Sequence, residues 1–504
     1  MVDGSLFYRI NFRSVKLVNE SNRTENMTGL RRREFLKTAA LVTSSTLLQS
    51  PLLLADSANR AGKRTNILVI ITDQQFAGAM SCCIGTDYIY TPNMDALAAN
   101  GMRFTRAYCA NPLCVPSRTA MFTGHYPHET GIQTNTSEKI DPNKFICIGR
   151  IFKEAGYDTG FFGKWHMPSR ADKSEENGFE TYVGAPGRYS GVPCSEFMKK
   201  DRKHPFLAIA SFLNPHNICE WSRGQKLPGG PIGEPPKPSA CPQLKPNMAP
   251  PEGETDIISH MRKAYQAHRL FPVGNFTNDK WRQYRWAYYR LIEKVDKHVE
   301  TLLDALNESK QLENTLVVFL SDHGECCGAH HWNQKTVFYD EAARVPFIIS
   351  QKGTTPQGTC DALVQTGVDL IPTLCDFAGI DTPKGLPGIS LKAHALNQSR
   401  SEDRPYIVVS NKMVQCEPVN GVLLQPDGRM VRSQKYKYCL YSLGHRRESL
   451  VDMQADPGEM VNLATNSRYH TVLLQHREYL RDFARKNGDN VALSMLLGRD
   501  SPKS

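Results

Sequence analysis

Asn66-Ile67-Leu68-Val69-Ile70-Ile71-Thr72-Asp73 decides the fold. Its apolar run is continuous and rich in β-branched residues. That is the mark of a strand covered on both faces, because a half-exposed strand alternates polar and apolar positions. The run stops at Thr72-Asp73-Gln74, and the same strand-then-polar order recurs three times. Tyr157 to Phe162 leads into Gly163-Lys164-Trp165-His166, Pro205 to Phe212 into Asn214-Pro215-His216, and Thr315 to Leu320 into Ser321-Asp322-His323-Gly324-Glu325. Strands of this kind build a parallel-rich sheet between layers of helices. Such sheets bind ligands just beyond the carboxyl ends of their strands. Asp73, Lys164, His216 and Asp322-His323 are thereby expected along one edge.

Outward from these strands, Pro92 to Asn100 reads as a helix and Arg103-Phe104-Thr105 as a short strand. A long helix is expected from about Asp279 to Leu306, where Tyr284, Tyr288, Leu291, Val295, Val299 and Leu302 form one buried stripe with no cofactor implied. Glu220 to Asp256 is rich in Pro and Gly, lacks periodicity and predicts a long surface loop. Beyond Leu386-Pro387-Gly388 the pattern changes to short antiparallel strands around 406–409, 428–432 and 436–441, then a helix from about Tyr469 to Arg485. The expected fold class is α/β: a large mixed, mostly parallel sheet sandwiched by helices, with a smaller C-terminal α+β domain of a short antiparallel sheet plus helix. The expected boundaries are 1–63 for an upstream segment and export signal, 64–390 for the catalytic domain with a Pro/Gly-rich insertion at 220–275, and 391–504 for the smaller subdomain.

A chain of 504 residues with 40% hydrophobic content can bury a large core. Its net charge of +10 is spread along the chain instead of forming the stripe of a nucleic-acid binder, so no nucleic-acid partner is expected. Arg31-Arg32-Arg33-Glu34-Phe35-Leu36-Lys37, followed by a weakly apolar run to Ala55, has the order of an export signal of the twin-arginine type. That run is polar and barely long enough to span a bilayer, so no stable membrane span is expected. The twin-arginine export machinery is the implied partner and the periplasm or exterior the implied location. Met27 stands where a start would fall. The 14 cysteines show no CxxC spacing of a zinc site, and their pairing is left open.

Cys114-Val115-Pro116-Ser117-Arg118-Thr119-Ala120-Met121-Phe122-Thr123-Gly124 is the chemical centre of the chain. Pro116 suits a first helical turn and Gly124 can stop the helix, so Cys114 sits at a helix N-terminus with Arg118 one turn later. A cysteine so placed is set up for reactivity. Asp73 with Asp322-His323 could hold a divalent cation, and carboxylates suit Ca2+ or Mg2+ better than zinc.

The spacing Cys-x-Pro-Ser-Arg-x4-Thr-Gly resembles the signature of type I sulfatases of the alkaline-phosphatase-like superfamily. The resemblance extends from Asn66 to Leu463, including Asp456-Pro457-Gly458-Glu459. In that family the cysteine is oxidised to formylglycine (3-oxoalanine), whose hydrate is the nucleophile, and a maturation enzyme performs the oxidation. The resemblance implies that modified Cys114 sits on the metal with Asp73, Gln74, Asp322 and His323. It further implies that Arg118 holds the aldehyde hydrate, that His166 assists its turnover, and that Lys164, His216 and Lys335 bind the sulfate, with His216 protonating the departing oxygen. One departure is Gln74, where many relatives carry a second Asp, so one negative charge is lost.

The implied activity is hydrolysis of sulfate esters or N-sulfate, with a sulfated carbohydrate as the preferred substrate. Two other readings stand beside it: a phosphonate monoester or phosphodiester hydrolase using the same modified cysteine, and an inactive sulfated-glycan binder. Trp221, Trp332 and His128 are candidates for lining a sugar subsite.

Overall fold

The computed structural model describes residues 64–136, 139–185, 187–398 and 403–500, with the side chains of 499 and 500 left aside. The export-signal reading falls outside these residues. Among the described residues there are twelve strands: β1 (Asn66–Asp73), β2 (Met102–Tyr108), β3 (Asp158–Gly163), β4 (Thr181–Val183), β5 (Phe206–Pro215), β6 (Thr315–Ser321), β7 (Phe347–Ser350), β8 (Gly358–Gln365), β9 (Tyr406–Lys412), β10 (Asp427–Ser433), β11 (Tyr436–Tyr441) and β12 (Glu448–Asp452). The helices of eight residues or more among the described residues are α1 (Pro92–Ala99), α2 (Cys114–Thr123), α3 (Val192–Lys199), α4 (Asp256–Ala267), α5 (Asn278–Glu308), α6 (Thr366–Ala378), α7 (His470–Asn487) and α8 (Asn490–Asp500).

The first eight strands form one sheet in the order β4-β3-β5-β1-β6-β7-β2-β8. β3, β5, β1 and β6 are neighbours and all parallel, whereas β7 runs antiparallel to both β6 and β2. The sheet is therefore mixed, mostly parallel, as the strand composition predicts. Along β1 the side chains alternate between two separate cores: Leu68 and Ile70 face the layer containing α5, and Ile67, Val69 and Ile71 face the layer containing α2 and α6. A strand that serves two cores has no polar position to offer, which is why its sequence reads as an unbroken apolar run.

β9 to β12 form a second, antiparallel sheet in the order β12-β11-β10-β9, covered by α7 and α8. α5 carries the expected stripe, with Tyr284, Tyr288, Leu291, Val295, Val299 and Leu302 all buried. The Pro/Gly-rich segment is irregular over most of 223–255, but it is tied down. Lys294 Nζ donates to the carbonyls of Gly229 and Gly230 at 2.5 and 3.0 Å, and Arg282 donates to that of Cys241 at 2.8 Å. It forms a strap along α5. The rest of the 220–275 insertion contains α4, whose Ile257, Ile258, Met261 and Tyr265 join a core shared with the second sheet.

All fourteen cysteines are free thiols, and the Cys82 and Cys83 sulfurs lie 3.9 Å apart. Among the described residues no helix is long and apolar enough to cross a membrane.

Candidate active site

Because β3, β5, β1 and β6 lie side by side and parallel, the residues that follow them converge. Asp73 ends β1, Lys164 follows β3, His216 follows β5, and Asp322-His323 follow β6. Two glycines allow the close approach. Gly163 has φ +117°, and a Cβ there would lie 1.9 Å from the Ser211 carbonyl oxygen; a Cβ on Gly324 would lie 1.9 Å from that of Glu341. Neither position tolerates a side chain without moving backbone.

α2 brings the cysteine from the other half of the sheet. Leu113 is its extended N-cap residue, and Gly124 closes it with φ 75° in the left-handed region. Cys114 Sγ lies 3.2 Å from His323 Nε2 and 3.1 Å from Lys335 Nζ. His166 and His216 stand beside the sulfur as well. Burial alone would raise the thiol, but the charges of Lys164, Lys335 and His323 outweigh it and hold Cys114 well below its ordinary value.

Arg118, fully buried, directs Nε to Asp322 Oδ2 at 2.8 Å and one terminal nitrogen to Asp73 Oδ2 at 3.4 Å. Its other terminal nitrogen reaches the Lys164 carbonyl and Ser211 Oγ, both at 2.8 Å. In this arrangement the guanidinium faces the two carboxylates. Lys164 Nζ also bonds Asp73 Oδ2. Burial opposes ionisation of Asp73, yet Lys164, His216 and Arg118 together keep its carboxyl below the usual range. His216 is held below its ordinary value by burial and by the charge of Lys335. For His323, burial pulls down, but the Asp322 carboxylate prevails and the net shift is upward. Asp73, Asp322 and Arg118 form the floor, while the half-buried His216 and exposed His166 form the rim.

Gln74 is fixed by neighbours that sequence reasoning left out. Its amide nitrogen donates to Glu325 Oε2 at 2.6 Å, which turns its carbonyl oxygen toward Lys335 Nζ at 2.7 Å. Glu325 also accepts from Tyr284 Oη at 3.0 Å, Gln334 N at 2.7 Å and Cys327 N at 3.0 Å. Its carboxyl is pushed up by burial. The only sequence signal for this hub was the Glu that closes Asp-His-Gly-Glu. The backbone is strained here: Gln74, His166, Gln334 and Thr336 all have positive φ, and Thr336, which is β-branched, stands at 77°.

The suggested sugar platforms are not assembled. Trp332 is 2% exposed and packs edge-on against Tyr265. His128 stacks on Tyr126 and bonds the Asn487 carbonyl at 3.0 Å, against the C-terminal helices. Trp221 is half-buried with Lys280 over its ring at 4.3 Å. The apolar character that marked these residues out is used in packing.

The sulfatase family profile matches residues 65–193 and 192–380, and the profile of the N-sulphoglucosamine sulphohydrolase C-terminal region matches 328–486. The chain belongs to the sulfatase family. This sulfatase is 32% identical over 465 residues to a Delta 4,5-hexuronate-2-O-sulfatase of Bacteroides thetaiotaomicron, covering 87% of this chain and 92% of the relative. It is 25% identical over 503 residues to an N-acetylglucosamine-6-O-sulfatase of the same species, covering 85% and 88%. A solved 2-O GAG sulfatase superposes with TM-score 0.73 at 30% identity over 85% of this chain and 94% of that one. The phosphonate monoester hydrolase of Agrobacterium radiobacter shares the fold, with TM-score 0.67 at 21% identity over 84% of this chain and 96% of that one. The protein is a sulfuric ester hydrolase.

Sulfatases carry a metal, and the residues present fit one. Donor atoms of Asp73, Cys114, Asp322 and His323 lie within 4.8 Å of one another, all buried. Asp73 Oδ1 is buried and accepts no hydrogen bond, the state of an oxygen that faces a cation. His323 Nδ1 is held by the Gly324 carbonyl at 3.0 Å, which turns Nε2 into the cluster.

Proposed function

We propose that this sulfatase removes sulfate esters from a sulfated carbohydrate in an exported location, using Cys114 after its conversion to formylglycine. The observation that carries the reading is the placement of Cys114. Two lysines and three histidines surround its sulfur, directly above two buried carboxylates clamped by Arg118. The sulfur marks where the oxygen of the modified residue would stand, and formylglycine, as its hydrate, supplies an oxygen nucleophile. Asp73, Asp322, His323 and the modified residue would hold Ca2+, with Mg2+ as the alternative, because a donor set rich in oxygen suits hard cations. Such a cation supplies positive charge against the sulfuryl oxygens. The carbonyl oxygen of Gln74 faces Lys335, so any ligand role for it requires that lysine to move aside.

The chain's own residues account for the rest. Lys164 and Lys335 offer ammonium groups to the sulfuryl oxygens, where negative charge accumulates during transfer, and they do so in a water-poor site. Lys335 lies between Gln334 and Thr336, both with positive φ, so its position is fixed by the backbone and needs little reorganisation. His216 is on the rim, where it can deliver a proton to the departing sugar oxygen, and His166, also on the rim, can accept one. Arg118 holds both carboxylates in place through its hydrogen bonds to them. A carbohydrate substrate is supported by the sugar sulfatases to which the chain is similar.

Peptide mass spectrometry across Cys114 on protein from the native host tests the nucleophile. Formylglycine lowers the residue mass by about 18 Da, and an unmodified thiol in active protein would remove this mechanism. Sulfate release is then measured on a panel of sulfated glycans, with phosphonate monoesters and phosphodiesters beside them. Turnover of the phosphorus esters alone would replace the proposed substrate class, and binding of sulfated glycans without turnover of either class would mark an inactive binder. Chelation should abolish release, and Ca2+ or Mg2+ should restore it.

A further inference from the structure

The strap across α5 leaves a groove of about 630 Å3 that the reaction above does not use. Its walls come from the segment after β1, the strap at 242–247, α5 and the turn at 457–458. Three aromatic rings, Phe76, Tyr88 and Tyr289, line it together with Lys245 and Arg285. Among the described residues Glu341 is the only carboxylate on the wall, and it already accepts from Lys245 Nζ at 3.2 Å and Asn247 Nδ2 at 3.0 Å.

Arg285 is different. Among the described residues no carboxylate pairs with it, its single bond is to Tyr289 Oη at 3.1 Å, and its Nε is buried without a hydrogen-bond partner. A guanidinium on the groove wall with no carboxylate partner leaves its charge uncompensated, and the fork of an arginine matches the paired oxygens of a sulfate or carboxylate. One packed layer separates the groove from the reaction centre, and Gln74 and Tyr288 in that layer are fully buried. Tyr288 stacks on Phe76 and donates its hydroxyl to the Gln74 carbonyl at 2.7 Å, and the Gln74 side chain contacts Lys335 beside Cys114.

We propose that this groove binds a second anionic sugar of an extended sulfated glycan, with Arg285 holding its sulfate or carboxylate and the rings covering its apolar faces. The inference rests on the carbohydrate reading above and adds to it a preference for length. The cationic fork supplies specificity and the open groove lets a polymer pass through.

Two measurements on the full chain test it. On sulfated oligosaccharides of alternating uronate and glucosamine, Arg285→Gln should raise KM for a hexasaccharide about tenfold, the size of one charged hydrogen bond, and leave its kcat and the turnover of a monosaccharide sulfate unchanged. Arg285→Lys should recover part of the loss. Equal KM values for variant and parent at every length would overturn the proposal. Calorimetry with the same hexasaccharide on Cys114→Ala protein, with and without Arg285→Gln, is independent of turnover. About tenfold weaker binding in the double variant supports the groove, and equal binding refutes it. If no glycan releases sulfate while the calorimetric difference persists, the proposed reaction fails and the groove stands.

Discussion

Cys114 and Glu325 do different kinds of work, and each invites its own substitution. Cys114→Ala removes the atom on which the site converges but leaves a small apolar side chain at a buried helix start. Activity should fall by at least about 10³-fold, because groups that act as a unit fail together, while the thermal midpoint stays close to that of the parent. Measurable turnover above that level would show that the cysteine is dispensable. Glu325 touches no substrate in this account. Its two oxygens accept four donors, one of them the amide of Gln74. Glu325→Gln turns one acceptor into a donor facing those donors. It should cost about 1–3 kcal/mol of stability and release Gln74 to flip, freeing Lys335. The expected result is a fall in kcat larger than any change in KM. A variant that loses stability while keeping its kinetic constants would reduce Glu325 to a purely structural role.

At the level of strands, position in the site depends on how closely β3 approaches β5. Gly163 sits at the end of β3 with its hydrogen against the Ser211 carbonyl, and Gly163→Ala must separate the strands or twist the turn that carries Lys164. Strained backbone of this kind costs about 1–3 kcal/mol; chemical denaturation should show a loss of that size or more, with activity falling further than the folded fraction. Retained activity at reduced stability would mean that Lys164 adapts.

The same element shows what a sequence can reveal. β1, β3, β5 and β6 were legible because burial on both faces writes a continuous apolar run, and their polar ends were legible because each run stops abruptly. β7 and β12 are only four and five residues long, too short for a repeating pattern to mark them. α4 was hidden by the proline-rich strap before it. In the site, Asp73, Cys114, Lys164, His216, Asp322, His323 and Lys335 were legible from motif and strand end. Glu325 as a hub was not, because its partners Tyr284, Gln74 and Gln334 come from three separate parts of the chain. Arg118 was legible as a cation near Cys114, but its orientation toward Asp73 and Asp322 depends on tertiary packing.

Across the whole molecule, the two sheets are joined by a buried charge cluster that should give stability a particular pH dependence. Lys437 of β11 donates to Asp340 at 2.5 Å and Glu459 at 2.7 Å, while Asp340 N donates to Glu459 Oε1 at 2.7 Å. Two carboxylates thus share one ammonium, and their shifts oppose each other. Burial pushes Glu459 up to about 7 despite Lys437. For Asp340, Lys437, Arg344 and Arg432 outweigh burial and hold it below the usual range. Glu459 in the folded protein retains a proton that the unfolded chain releases near its ordinary value, so its contribution is fully present below that value and is lost as pH rises through about 7. Asp340 acts in reverse: its contribution is present above its ordinary value and is lost as pH falls through the lowered one. The cluster therefore stabilises most under mildly acidic conditions. Glu459→Gln keeps an acceptor for Lys437 without the charge, so the thermal midpoint of the variant, measured relative to the parent, should climb as pH is raised from about 4.5 to about 7 and level off above. A difference that stays constant across that range would show that Glu459 ionises in the folded protein near its ordinary value.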